Sequence, residues 1–265
     1  MKIHELKYSN TNTFLIEGDS GKILFDTGWA GTFSAFCKAI GELHVSAQEI
    51  DYILISHFHP DHMGIAQEIA DLGPVVVVMD LQRDHVHDSD VIFAKEKDTA
   101  FVPIADERVR ILQISESREF LKSVGIYGEI LSTPGHSDDS ISLCLDSGEV
   151  FVGDLNPLYE LELHRETQIE DSWNKILKAN PKVVYYGHAK AVEIAAAGAS
   201  ASKHDDVYKQ VSNIMKLIDK GVSLDRIQKK TGVDTSFVED VARMYLTHQN
   251  VGVQGILDRI EIKGK

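Results

Sequence analysis

The sequence predicts an α/β fold followed by a small helical extension. Short apolar runs of strand length alternate with helix-period stretches over roughly the first 200 residues. Several of those runs end in a turn that carries a His or an Asp. Near residue 200 both the charge balance and the pattern change. A chain of 265 residues can bury a sizeable core, so one main domain plus an appendage is the natural division. Its 43% hydrophobic and 26% charged content is that of an ordinary globular protein.

Phe14-Leu15-Ile16-Glu17 and Lys22-Ile23-Leu24-Phe25 flank Gly18-Asp19-Ser20-Gly21 and read as a hairpin. Thr32 to Leu43 is helical in pattern, with Phe33, Phe36, Ile40 and Leu43 on one face. Tyr52-Ile53-Leu54-Ile55 reads as a buried strand, Ile65, Ile69 and Leu72 as a helix, and Val75 to Met79 as another buried strand. Val109 to Ile114, Ile130-Leu131, Ser140 to Leu145 and Val150 to Val152 continue as a second half. Between Asp80 and Pro103 the chain is polar and charged. His85, His87, Asp88 and Asp90 there imitate a metal site, but they lack the strand-end placement of the motif described below, and a solvated loop is expected. Phe93 and Phe101 in the same stretch suggest a lid over a pocket.

After Lys203 three helices are expected. His204 to Lys220 stops at Gly221, Leu224 to Thr231 is capped by Ser223 and stops at Gly232, and Phe237 to His248 opens after Asp234-Thr235-Ser236. The last two resemble a helix-turn-helix. Glu239 and Asp240 in the would-be reading helix favour a packing or dimerisation cap over DNA binding. From Lys203 onward there are 11 Lys+Arg against 9 Asp+Glu, which leaves 16 against 32 before it. Domains at 1–202 and 203–265 follow. The overall charge of −14 argues against a nucleic-acid backbone as the main partner, and a small molecule is expected instead.

The chemistry is concentrated in Ile55-Ser56-His57-Phe58-His59-Pro60-Asp61-His62, three imidazoles and a carboxylate within six positions. These are the donors that zinc-like cations favour. His57 and His59, two apart, point to one side of extended chain and can grip one ion. Asp61 and His62 follow the turn at Pro60 and can face a second. A match to H-x-H-x-D-H by composition alone is expected on the order of once in several hundred chains. Three further candidates each follow an apolar run and a glycine: His136 after Gly135, Asp154 after Gly153 and His188 after Gly187. Four strand ends each delivering a ligand type is what a composite metal site requires.

With these residues in place, the sequence resembles the metallo-β-lactamase superfamily of metal-dependent hydrolases. The resemblance covers roughly the first 200 residues and includes Asp26-Thr27-Gly28 after the strand Lys22–Phe25. It implies a four-layer αββα sandwich with the site on one edge. It further implies that His57, His59 and His136 bind one metal, that Asp61, His62 and His188 bind the other, and that Asp154 bridges them.

Members of the best-known lactamase subclass have a Cys where this chain has Asp154, so lactam hydrolysis is not expected. A bridging Asp is typical of glyoxalase II-like thioesterases, acyl-homoserine lactonases, tRNA 3′-processing nucleases and persulfide dioxygenases. The flavodiiron branch has an acidic residue at the position of His59. The span from His136 to His188 is too short for the inserted domain of the RNA- and DNA-cleaving branch. The expected enzyme is therefore a dinuclear hydrolase, with Asp61 and Asp154 as its catalytic carboxylates, using a metal-bridging hydroxide on a small ester, lactone or thioester. A phosphodiesterase, a mononuclear-iron persulfide dioxygenase and a DNA-binding sensor are the alternatives. Zinc is the expected metal, and iron or manganese suits the same donors. Tyr159, Tyr186 and His164 are the candidates for a leaving-group proton donor. No apolar run reaches membrane-span length, and Met1-Lys2-Ile3-His4-Glu5 lacks the core of a secretory signal, so a cytoplasmic location and reduced Cys37 and Cys144 are expected.

Overall fold

The computed structural model describes residues 1–96, 100–194 and 203–247. Its strands, in chain order, are β1 (Lys2–Leu6), β2 (Thr13–Glu17), β3 (Lys22–Phe25), β4 (Tyr52–Leu54), β5 (Val75–Met79), β6 (Val109–Leu112), β7 (Gly128–Ser132), β8 (Ile141–Leu145), β9 (Glu149–Phe151), β10 (Val183–Tyr185) and β11 (Val192–Glu193). Its helices are α1 (Phe33–Glu42), α2 (Pro60–Met63), α3 (Ala66–Ala70), α4 (Asp90–Phe93), α5 (Ser117–Ser123), α6 (Gln168–Lys178), α7 (Lys203–Asp219), α8 (Leu224–Thr231) and α9 (Thr235–Thr247). Two compact units result: Met1–Asn156 with His164–Ile194, and Pro157–Leu163 with Ala195–Lys265.

The first unit holds two sheets, ordered β1-β2-β3-β4-β5-β6 and β11-β10-β9-β8-β7. β3, β4, β5 and β6 run parallel, as do β9 and β10, while the remaining pairs are antiparallel. The alternation of side chains across the first sheet shows why its strands read as unbroken apolar runs. Leu15, Leu24, Ile53, Val76 and Val78 pack with Phe36, Ile40 and Ile69 of α1 and α3. Their neighbours Phe14, Ile16, Ile23, Phe25, Leu54, Val77 and Met79 pack with Ile130, Leu143 and Phe151 of the second sheet. Both faces are buried, the usual setting of the central parallel strands β4 and β5 and here shared by the antiparallel β2. α6 lies against β7 and buries Ile169, Trp173 and Ile176, so the layers follow the αββα order that the resemblance implies.

Aromatic rings fasten the two sheets. The Phe151 ring lies 5.0 Å from Phe14 and is stacked on Tyr185 at 4.9 Å. Such pairs add about 0.5–1.5 kcal/mol each beyond their area.

In the second unit, Val211, Ile214 and Met215 of α7 pack with Ile227 of α8 and with Val238 and Val241 of α9. The apolar positions behind the helix-turn-helix resemblance are therefore core positions. Gly232 takes the left-handed C-cap conformation, φ 68. Ser223 occupies the N-cap with extended backbone, but its side chain makes no capping bond, contrary to expectation. His248 and the tail to Lys265 lie outside the described residues.

The Asp80–Pro103 stretch departs from a simple loop. It contains α4, and Phe93 is buried against Trp29 and stacked on Phe101 at 4.0 Å. His85 pairs with Asp88 and His87 with Asp90, and none of the four enters a three-ligand cluster among the described residues. Cys144 is buried, Cys37 is partly so, and both are free thiols. Among the described residues no helix is long and apolar enough to cross a membrane.

Candidate metal centre

Parallel pairing brings the carboxyl ends of β3 and β4 to one edge of the first sheet, and pairs those of β9 and β10 in the second. At that edge the Ile141 N–H donates to the Ser56 carbonyl over 2.8 Å, which ties the end of β4 to the start of β8. His57 follows β4 by three residues. His59 is extended, φ −73 and ψ 152, and Pro60 sits at the first position of α2, where its missing N–H is harmless. One turn then returns Asp61 and His62 to the same place.

The downstream residues arrive on tight turns, and two of these need glycine. Gly153 has φ +56, and a Cβ there would lie 2.5 Å from Ser56 Oγ. A Cβ on Gly187 would lie 2.5 Å from Asp154 Oδ1 and 2.7 Å from His62 Cε1. The glycines let the backbone approach the cluster more closely than any other residue could.

All seven residues singled out in the sequence converge. Three groups bring their donor atoms within 4.8 Å of one another: His57, His59 and His136; His57, His62 and Asp154; and Asp61, His62 and His188. Asp154 stands among them all. Its Oδ2 lies 4.0 Å from His57 Nε2, 3.6 Å from His136 Nε2 and 3.4 Å from His188 Nε2, and its Oδ1 lies 3.3 Å from His62 Nε2. His57 and His62 form a buried floor, while His59, His136 and His188 form a rim open to solvent.

The donor set fits divalent cations. His57 Nε2, His62 Nε2 and Asp154 Oδ1 are buried without a hydrogen-bond partner of proper direction. Leaving a buried polar atom unsatisfied costs about 1–3 kcal/mol, a cost that a shared cation removes. His136 Nε2 and His59 Nδ1 face each other at 3.1 Å. Two nitrogens on one tetrahedral ion lie about 3.4 Å apart, given bonds of about 2.1 Å.

Electrostatics splits the histidines. Burial depresses His57 and His136 below the ordinary value of 6.5, with neighbouring imidazoles adding to the effect. Burial also acts to lower His62, but the Asp26 charge, the bond to Asp26 and the nearby Asp154 charge outweigh it and raise it to about 10. Hydrogen bonds to Asp154 and Asp61 raise His188 to about 11. Burial works to raise Asp61 and Asp154, yet both are held below the usual carboxylate range, chiefly by the bond to His188. In the metal-free chain His62 and His188 are thus drawn toward their protonated forms by the carboxylates of Asp26, Asp61 and Asp154.

Several supporting residues carried no obvious sequence signal. Asp26, noted only as part of a turn, is buried at φ 62, accepts from the Ser56 N–H at 2.7 Å and pairs with His62 Nδ1 at 2.8 Å. Its one clue is its place directly after β3, the placement shared by the ligand candidates. Asn12, Gln82 and Asp139 also brace the cluster through backbone groups. Of the proposed proton donors, Tyr186 is buried and its carbonyl accepts from Asn12 Nδ2. His164 enters none of the three groups, and the Tyr159 side chain lies outside the described residues.

An αββα sandwich with a His/Asp cluster at the carboxyl ends of its strands defines the class of protein. The chain belongs to the metallo-beta-lactamase superfamily, whose family model matches residues 7–188. Members are mostly hydrolases and use divalent metals. A Beta-lactamase-like protein 2 homolog from Drosophila melanogaster is 27% identical over 185 residues, covering 69% of this chain and 60% of that protein. The chain spans about three fifths of the length of the curated relatives it matches in this way. Among solved structures, metallo-beta-lactamase family protein TTHA1429 from Thermus thermophilus has a TM-score of 0.54 at 18% identity, covering 91% of this chain and 89% of that one. TTHA1623, solved in a di-iron-bound form, has a TM-score of 0.53 at 20% identity, covering 73% and 94%. These structural likenesses concern the fold.

Proposed function

We propose that the chain is a dinuclear metal-dependent hydrolase that cleaves a small ester, lactone or thioester. The observation that carries this reading is the position of Asp154, whose carboxylate faces donors of all three ligand groups at 3.3–4.0 Å. His57, His59 and His136 would hold one cation and Asp61, His62 and His188 the other, with Asp154 between them. Divalent cations bound there supply Lewis acidity and bring the pKa of a coordinated water toward neutrality.

The chain's own residues do the positioning. The buried floor of His57 and His62 excludes water from beneath the site, while the open rim admits a substrate. Asp61 accepts a bond from His188 over 2.9 Å and is placed to take up a proton at Oδ2. Zinc is the favoured metal. Iron stands beside it, because a structural neighbour, TTHA1623, binds two irons. The net charge of −14 favours a small substrate over a polyphosphate backbone.

The test is a panel of esters, lactones, thioesters and a bis-aryl phosphodiester, assayed on protein of measured metal content. Turnover of at least one acyl substrate that disappears on chelation supports the proposal. Turnover confined to the phosphodiester moves the chain to the nuclease branch.

A further inference from the structure

Two sets of polar side chains outside the cluster divide between its two ligand groups. On one side, Asn12 spends its whole donor capacity on the turn that carries His188. Its Nδ2 donates to the Tyr186 carbonyl over 2.9 Å and to the Ala189 carbonyl over 2.8 Å. Its backbone N–H donates to the Gly187 carbonyl over 2.7 Å. Both partners of the side chain are acceptors, so only the amide NH2 can face them. The neighbouring residues extend the grip. Thr11 Oγ1 donates to the Asp61 carbonyl over 2.7 Å, and His188 Nδ1 donates to the Asn10 carbonyl over 3.0 Å. Asn10-Thr11-Asn12 therefore touches both Asp61 and His188.

On the other side, Gln82 is fully buried. Its Oε1 accepts from the Met79 N–H at 3.2 Å, and its Nε2 donates to the carbonyls of Ile55 at 3.0 Å and Asp139 at 3.1 Å. The buried Asp139 carboxylate accepts in turn from the Phe58 N–H at 2.7 Å. Phe58 lies between His57 and His59, and Asp139 lies three residues after His136. Gln82 Nε2 also lies 3.4 Å from the Ser56 carbonyl, and this second set joins the two loops that deliver His57, His59 and His136 while making no direct hydrogen bond to Asp61, His62 or His188.

We propose that Asn12 and the Gln82–Asp139 pair are positioning residues that each set the donor spacing of one ligand group, so that each governs uptake of a different cation. The proposal rests on the two-cation reading above. Three imidazole or carboxylate donors bind tightly only when held at their bonding separation before the ion arrives, and losing a supporting hydrogen bond commonly weakens binding about 10- to 100-fold. Because the two sets share no hydrogen bond, the loss should fall on one ion and spare the other.

The experiment titrates cobalt(II) into metal-stripped protein and follows its visible absorption, with His188→Ala and His136→Ala marking which binding step belongs to which group. Asn12→Leu should weaken the step lost in His188→Ala by at least about tenfold and leave the other within about twofold. Gln82→Met should do the reverse. Asp139→Ala should follow Gln82→Met, whereas Asp139→Asn, which keeps an acceptor for the Phe58 N–H, should retain both steps. Should Asn12→Leu not fold, Asn12→Ser retains one donor and should show the same selectivity at smaller size. If wild-type protein takes up two ions and the variants weaken both steps equally, or neither, the brackets are not selective and the proposal fails. A single step in wild-type protein overturns the two-cation reading, and this proposal with it.

Discussion

His62 Nδ1 lies 2.8 Å from Asp26 Oδ2, and both side chains are almost wholly buried. Asp26 also accepts from the Ser56 N–H and hydroxyl, at 2.7 and 2.9 Å, so its carboxylate has no freedom to turn away. A carboxylate fixed on Nδ1 leaves Nε2 as the nitrogen aimed at Asp154 and makes it a stronger donor. It also explains why an aspartate occupies a left-handed turn directly after an apolar strand, a conformation Asp tolerates better than most residues.

Asp26→Ala should therefore lower affinity for the cation proposed at Asp61, His62 and His188 by about 10- to 100-fold. It should also destabilise the metal-free chain, because His62 loses its buried partner. Metal titration and denaturant unfolding read the two effects separately. Unchanged metal affinity would remove Asp26 from the site.

Proton release gives an independent check. His62 and His188 are raised to about 10 and about 11, above the ordinary 6.5. Their contribution to the stability of the metal-free chain is fully present below about pH 6.5 and is lost as pH climbs through those raised values. His57 and His136 are depressed, so stability from their neutral forms is lost as pH falls below 6.5. A cation must displace the protons on His62 and His188. Calorimetry in buffers of different ionisation enthalpy should find about two protons released from these histidines at pH 8, beyond the one from a coordinated water, and about one fewer in His188→Ala.

The sheet interface makes a separate prediction. Phe151 is fully buried, with its ring in contact with Phe14, Phe25 and Tyr185. Phe151→Ala should cost about 3–5 kcal/mol of stability, measured by denaturant unfolding. A change below about 1 kcal/mol would mean that the two sheets are not fastened there.

A β-lactam should turn over no faster than with free metal ion alone, because a carboxylate, Asp154, stands where the lactamases of the best-known subclass have a thiolate. Efficient hydrolysis of a chromogenic β-lactam would overturn that inference.

Much of the site was legible because each ligand candidate has a loud local signal. His57, His136, Asp154 and His188 each follow an apolar run closely, and the last three follow a glycine, which at Gly153 and Gly187 the close approach to the cluster requires. The central strands were legible for a related reason, since burial on both faces leaves Val75–Met79 no polar position. β1 escaped notice as an edge strand, with only Leu6 of its five residues buried. α6 hid its buried Ile169, Trp173 and Ile176 among charged residues. Asn12, Gln82 and Asp139 were illegible for a deeper reason. Their partners are backbone groups, which every residue carries, so no spacing or pairing in the sequence marks them. The grouping of Pro157–Leu163 with the second unit likewise has no counterpart in local pattern.

The central claim is that Asp154 stands between two cations. The most direct measurement is the metal-to-protein ratio of the full chain purified without added metal and then equilibrated with zinc, for wild type and Asp154→Ala. The account predicts about two ions per wild-type chain, and one or none in the variant together with loss of hydrolysis. A wild-type chain that holds a single iron at full occupancy and keeps oxygen-dependent activity would contradict it.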